Sequence, residues 1–318
     1  MSGGSCDISD VDGSLMKDAE QNCGYFNGRW LPVDQWGLHI EDLGFLQAVT
    51  AVERLRTYGG RLFQPHAHLT RLSESLRVLQ INQSVSELQD LLEQWCDRNR
   101  AWVKEQGEAS ITLFVTPGRK GWGPNAAADS PLNPGSAPTV GLYGRPLKRS
   151  YVQSLHTDGQ AIVVTDVRQP SAEAWPRGIK VRCRLHYYLA DLAANQAFPN
   201  AAGVLVDDDG SLTETSVANL AIFDGAQIIS PPVDRFLSGV SQGVVRAYSA
   251  NLGIGWTHRP LMSAELGGAQ EILLMGTSAG IWNAYLPAEG QRYPRCNELG
   301  NRLRAAFPES SSWHNRDA

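Results

Sequence analysis

The chain has 318 residues, of which 42% are hydrophobic and 19% charged, with a formal net charge of −5. That length suits two domains, and that balance marks a globular chain rather than a disordered one. The acidic sign gives no electrostatic case for nucleic acid or an anionic membrane surface, and no apolar run approaches the about 20 residues a spanning helix needs.

Residues 1–24 are rich in Ser, Gly and Asp and lack an apolar signal core, so they are expected to form a disordered tail. Residues 309–318 are expected to be a flexible tail. Five scattered cysteines with no C-x-x-C pair argue for reduced thiols in a cytoplasmic setting and against a disulfide or zinc framework. Residues 25–31 read as a hairpin turning at Asn27-Gly28. Residues 48–58 and 61–63 read as two strands across Gly59-Gly60. On the first of them Val52, Arg54 and Arg56 share one face and Glu53, Leu55 and Thr57 the other. Two arginines on one face are either a solvated edge or a trap for a carboxylate.

Leu69, Leu72, Leu76 and Leu79 recur at helical spacing, so 65–80 is an amphipathic helix with His68 and Arg71 in its first turn. An arginine there opposes the helix dipole, and a bound anion would relieve the conflict. A second helix, 86–106, opens on a capping box of Ser86 and Gln89. A strand at 110–115 leads into a long loop running to 138, then a strand at 139–143 and a linker at 144–149. Domains of 25–148 and 149–308 are expected.

In the second half, 160–165 reads as a strand. Lys180 follows in Arg177-Gly-Ile-Lys-Val-Arg-Cys-Arg, and 185–197 reads as a helix. Next come a strand at 202–206, a tight turn at 207–210, Glu214-Thr-Ser-Val-Ala-Asn219, and a hairpin of 219–223 and 227–230. Ser241 is placed as the N-cap of a helix running to about 251, where free N–H groups and a hydroxyl point outward. A buried-type strand at 271–275 ends in the small residues 276–280. An imine-forming lysine followed by a carboxylate and a nest of small donors suits pyridoxal phosphate: the aldehyde needs an amine, the ring nitrogen an anion, the phosphate N–H and O–H donors.

Four blocks in this order give a family resemblance: Tyr58-Gly-Gly-Arg-Leu-Phe63 with His68-Leu-Thr-Arg-Leu72; Lys180-Val-Arg-Cys-Arg-Leu185; Glu214 to Asn219; and Leu237-Ser-Gly-Val-Ser241 with Gly276-Thr-Ser278. Over residues 25–286 the chain resembles the fold-type IV pyridoxal-phosphate enzymes, which include branched-chain and D-amino acid aminotransferases and aminodeoxychorismate lyase. The resemblance implies a mixed α/β (α+β) fold with a small N-terminal and a larger C-terminal α/β domain, an active site between them, and a homodimer. It implies ping-pong transfer of an amino group between an amino acid and a 2-oxo acid, with Lys180 as the internal aldimine and proton carrier. A lyase that eliminates pyruvate is the alternative, and a non-catalytic relative a third.

By the same resemblance Glu214 takes the pyridine N–H. Arg71, Val240, Ser241 and Thr277 hold the phosphate, Ser216 is a further cofactor residue, and Ser278 lies near the substrate carboxylate. Arg54, Arg56 and Arg119 are candidates for that carboxylate. The departures are Arg182 and Cys183 in the lysine block, Thr215 and Ala218 after the glutamate, and Leu185 where some members place an aromatic hydroxyl. Tyr187 or Tyr188 could stand in for the last only by a shift of register.

Overall fold

The computed structural model describes residues 22–119, 137–287 and 296–308. Its first sheet holds β1 (Cys23–Phe26), β2 (Arg29–Pro32), β3 (Ala51–Tyr58), β4 (Arg61–Leu62), β5 (Ala109–Thr116) and β6 (Thr139–Pro146). Their order is β2-β1-β6-β5-β3-β4 and every pairing is antiparallel. The hairpin β1–β2 turns where expected, with Asn27 and Gly28 both at positive φ, the turn that matches strand twist. One face is covered by α2 (Pro65–Val78) and α3 (Val85–Arg98), following α1 (Leu43–Leu46) in the chain and preceding α4 (Arg100–Gln106). Leu69, Leu72, Leu76, Leu88, Leu92 and Trp95 from these helices pack on Leu55, Ile111 and Leu113 from the strands.

The second sheet holds β7 (Gln160–Arg168), β8 (Ala202–Val206), β9 (Leu212–Thr215), β10 (Asn219–Phe223), β11 (Gln227–Ser230), β12 (Gly255–His258), β13 (Glu271–Gly276) and β14 (Gly280–Tyr285). The order is β12-β11-β10-β13-β14-β7-β8-β9, and β9 also meets β10 through Glu214 and Asn219, so the sheet curls back on itself. Its helices are α5 (Arg149–Thr157), α6 (Leu185–Ala197), α7 (Val240–Asn251), α8 (Ser263–Gly268) and α9 (Glu298–Leu303). The mixed α/β fold expected from the sequence is the one that forms.

Several local expectations are corrected. Cys23 and Gly24 belong to β1 rather than to a tail: they pair with Pro32 and Leu31, and the Asn99 side chain bonds both the N–H and the carbonyl of Cys23. The rest of the expected N-terminal tail, the 309–318 tail and most of the loop before 138 lie outside the described residues. The second helix starts on Ser84, whose hydroxyl accepts from Glu87 N, and it breaks at Asn99, whose side chain donates to Trp95 O. The expected linker is mostly structure: Gly144, Arg145 and Pro146 finish β6 and Arg149 opens α5. Gly239, not Ser241, is the N-cap of α7, which puts Ser241 inside the first turn. Arg71 stands two turns into α2, which begins at Pro65, so it opposes no free helix end.

Candidate active site

The main chain of the lysine segment is stitched to the start of β3 and to α2. Val52 N donates to Lys180 O at 3.0 Å, Arg182 N donates to Thr50 O at 3.1 Å, and Lys180 N donates to the Ser75 hydroxyl at 3.1 Å. One pocket is lined by Lys180, Arg71, Glu214, Ser216, Val240, Ser241 and Thr277, together with Arg184, Tyr187 and Asn219. All seven residues assigned to the cofactor from sequence therefore meet in one place.

Lys180 is part-buried, and burial first, Arg71 second, bring its amine down to about 8 from 10.5. Glu53 and Glu214 work in the opposite direction. An amine poised there is neutral in a useful fraction near neutral pH, which a nucleophile and a proton carrier both require.

Glu214 is 4% exposed and surrounded by donors. Its Oε1 accepts from the Tyr187 hydroxyl at 2.7 Å, Leu237 N at 3.2 Å and Gln169 Nε2 at 3.3 Å; its Oε2 accepts from Asn219 Nδ2 at 3.2 Å. Burial pushes the carboxyl up, and the Tyr187 and Leu237 bonds and the charge of Lys180 oppose that push. Asn219 is fixed in turn by donating to Leu237 O at 2.8 Å. Of the two tyrosines weighed in place of Leu185, Tyr187 lines the pocket and bonds Glu214, whereas Leu185 and Tyr188 are exposed.

Arg71 is held rather than free. Its Nε and Nη2 each donate to Glu53 at 2.7 Å and its Nη1 to Ser238 O at 2.7 Å. Of the five N–H groups of a guanidinium, two remain for a ligand. Glu53 is 1% exposed and also contacts His68 Nδ1 at 2.7 Å. Burial alone would raise its carboxyl, but Arg71 and His68 together outweigh this and hold it at about 2. Glu53, Asn219 and Arg184 were given no site role from sequence, and Tyr187 only as one of two stand-ins. Asn219 and Arg184 sat in motifs, and the role of each shows only through contacts far apart in the chain.

The pocket walls come close enough to exclude side chains. A Cβ on Gly239 would lie 1.8 Å from Asn219 Oδ1, and one on Gly276 would lie 2.5 Å from Val217 O. Gln242 Nε2, in the first turn of α7, is a buried donor without a partner among the described residues. A primary amine, a buried carboxylate, a helix start and a guanidinium around one cradle make a donor set that fits an aldehyde-bearing, phosphorylated pyridine.

The substrate candidates divide. Arg56 is buried and donates through Nη1 to Ser278 O at 2.7 Å while its guanidinium lies 3.6 Å from the Tyr58 ring centre, so it braces the 276–280 turn. Arg54 is exposed on the same face. Arg119 is not brought to the pocket; it pairs with Glu41 at 3.2 Å. Among the described residues no group of three or more His, Cys, Asp or Glu is placed to hold a metal ion, and no helix is long and apolar enough to cross a membrane.

The family model described as amino-transferase class IV matches residues 50–284. A putative branched-chain-amino-acid aminotransferase of Methanocaldococcus jannaschii is 26% identical over 260 residues, covering 81% of this chain and 85% of that protein. The aminodeoxychorismate lyase of Bacillus subtilis is 27% identical over 229 residues, covering 70% and 71%. Among solved structures, a hypothetical aminotransferase from Mycobacterium tuberculosis in its PLP-bound form superposes with a TM-score of 0.76 at 20% identity, covering 89% of this chain and 96% of that one.

Proposed function

The chain belongs to the class IV aminotransferase family, and from that premise we propose that it is a pyridoxal-phosphate-dependent aminotransferase that moves an amino group between an amino acid and a 2-oxo acid by a ping-pong route. The observation that carries this reading is the meeting of Lys180, Glu214 and the start of α7 in one pocket. When bound, the cofactor supplies an aldehyde that carries the amino group and a ring that accepts an electron pair from the substrate α-carbon.

The chain's own residues do the rest. Lys180 Nζ holds the cofactor and, once displaced by substrate, moves a proton from the substrate α-carbon. Glu214 would accept the ring N–H, and its four donors aim the carboxyl and offset part of the cost of its burial. The N–H of Val240, the hydroxyls of Ser241 and Thr277, and the two remaining N–H groups of Arg71 take the phosphate, with Ser216 beside them. Ser278 and Arg56 present and brace the turn that meets the substrate carboxylate; Arg54 is exposed on the same face of β3 as Arg56, and Arg119 would need to leave Glu41 to take part. A homodimer, with domains dividing at 148/149, belongs to the same reading, and light scattering at twice the chain mass checks the first.

The test is borohydride reduction of cofactor-loaded protein followed by peptide mass analysis. The adduct is expected on Lys180, and an adduct on any other lysine sinks the assignment. The similarity to the Bacillus subtilis lyase favours one second reading, elimination of pyruvate. Pyruvate release without an added 2-oxo acid would select it.

A further inference from the structure

A second cavity, of about 460 Å³, lies outside the cofactor pocket and takes no part in the reaction proposed above. That volume suits a small organic molecule. Its walls come from both halves of the chain: Tyr58 and Leu147 from the first, Val152 of α5 and Phe307 from the second. The turn after β13 serves both hollows, since Gly276 and Thr277 line the cofactor pocket and Ala279 lines the cavity.

Three arginines, Arg56, Arg149 and Arg304, line the cavity against one carboxylate, Glu108, which leaves two positive charges in surplus. The Glu108 oxygens accept from Gly59 N at 2.8 Å and from the Thr57 hydroxyl. Arg304 Nη2 donates to His156 O at 3.3 Å, but its Nε is a buried donor with no partner among the described residues. A donor left that way is costly, and a bound acceptor would relieve it. Arg56 spends two of the five N–H groups of a guanidinium, on Thr57 O at 3.0 Å and Ser278 O at 2.7 Å. A guanidinium fork matches a carboxylate with two parallel donors. The apolar walls would be left unused by a wholly polar anion such as phosphate.

Hydrogen bonds tie the cavity to the active site. Arg56 holds Ser278 O, and His156 Nε2 donates to Ala279 O at 2.8 Å. Arg304 holds the carbonyl of His156 in turn. All three side chains line the cavity, so a guest that draws on Arg56 and Arg304 pulls against the bonds that fix the turn. We infer that the cavity is an effector site for a monocarboxylic acid with an aromatic or branched apolar body, and that filling it shifts the turn carrying Thr277 and Ser278. Binding there is independent of the pyridoxal-phosphate reading; its effect on turnover rests on that reading.

Two readouts on the cofactor-loaded protein test it. In the first, naphthalene-1-acetate and its neutral counterpart, 1-naphthaleneethanol, are titrated by calorimetry. The acid is expected to bind at least about tenfold tighter than the alcohol. Arg304→Gln is expected to weaken the acid roughly tenfold, and Ala305→Trp, at an exposed position on the cavity wall, to fill the space and remove binding. Circular dichroism of both variants should overlay the wild type. Equal binding of acid and alcohol, or an affinity that neither variant moves, overturns the proposal. In the second readout, saturating acid is expected to raise the KM for the amino donor at least about fivefold in the wild type and to leave it unchanged in Ala305→Trp, whose turnover without the acid matches the wild type. Inhibition that persists in Ala305→Trp would place the acid in the active site and overturn the proposal, and so would a wild-type KM that the bound acid does not move. If the wild type transfers no amino group at all, the aminotransferase reading has failed, and the calorimetric comparison still decides the cavity.

Discussion

With an amine at about 8 in the fold and 10.5 as its ordinary value, Lys180 binds fewer protons folded than unfolded between those two values. The sign follows from linkage: stability of the cofactor-free protein rises with pH across that window, and below about pH 8 the fold carries the full cost of a charged amine in the pocket. Replacing the amine with an apolar group of similar length removes that cost. We expect Lys180→Met to abolish turnover while stabilising the cofactor-free fold by on the order of 2 kcal/mol at neutral pH, an advantage that fades as pH climbs past 8 toward 10. Urea unfolding at several pH values measures it. A variant that is less stable than wild type at neutral pH would show that Lys180 is a packing residue. The rate of cofactor loading should follow the same group, rising as pH passes upward through about 8, because only the neutral amine attacks an aldehyde.

Elements decide where such residues point, and here the buried triad of Glu53, His68 and Arg71 locks α2 to β3. The Glu53 carboxyl, at about 2 against an ordinary 4.5, stabilises the fold fully above about 4.5 and loses that contribution as pH falls toward 2. Glu53→Gln leaves Arg71 without its counter-charge in a buried setting, so we expect a loss of about 3 kcal/mol near neutrality that narrows steadily below pH 4.5. Denaturant midpoints of both proteins near pH 7 and near pH 3 test this; a gap that stays constant would mean that the charge is irrelevant. The triad also shows what was legible in the chain. Alternation along 48–58 placed Glu53 and Arg56 on opposite faces of a strand that the structure begins at Ala51, and leucine spacing gave α2. Motif order brought Lys180, Glu214, Ser241 and Thr277 together before any contact was known. The partner of Arg71 was not legible, because a bidentate pair between a strand and a helix 18 residues apart depends on how the two elements pack. The pairing of Arg119 with Glu41, 78 residues away, was hidden for the same reason, as was the aim of Tyr187 at Glu214. The helix over 185–197 was plain from its spacing, but which of its two tyrosines faces inward is set by the angle at which α6 meets β8 and β7.

On the scale of the whole molecule, the pocket is where two sheets share a few main-chain and arginine bonds. Thr50, just before β3, and Val52 within it hold the lysine segment; Arg71 reaches from α2 to Ser238 before α7; Arg56 reaches from β3 to Ser278 after β13. The two largest hydrophobic cores lie within each half, and only a smaller cluster crosses the junction, where Tyr58 and Phe63 pack against the core of the second half and Phe63 meets Phe307 at 5.5 Å. A junction built this way opens locally at lower cost than either core unfolds. A ligand that touches Arg71 on one side and Glu214, Ser241 and Thr277 on the other stabilises the joined state by mass action, about 2.7 kcal/mol when present at about 100 times its dissociation constant. Cofactor loading is therefore expected to slow amide exchange on both sides of the junction at once: at 50–52 and 71–75 in the first half, and at 180–182, 237–242 and 276–278 in the second. The cores at 88–95 and 220–222 should change little, because their exchange is set by unfolding of each half. Hydrogen exchange with mass spectrometry, run with and without pyridoxal phosphate, separates the two cases. Protection confined to the second half would mean that Arg71 makes no contact with the cofactor and that its only role is the lock on Glu53.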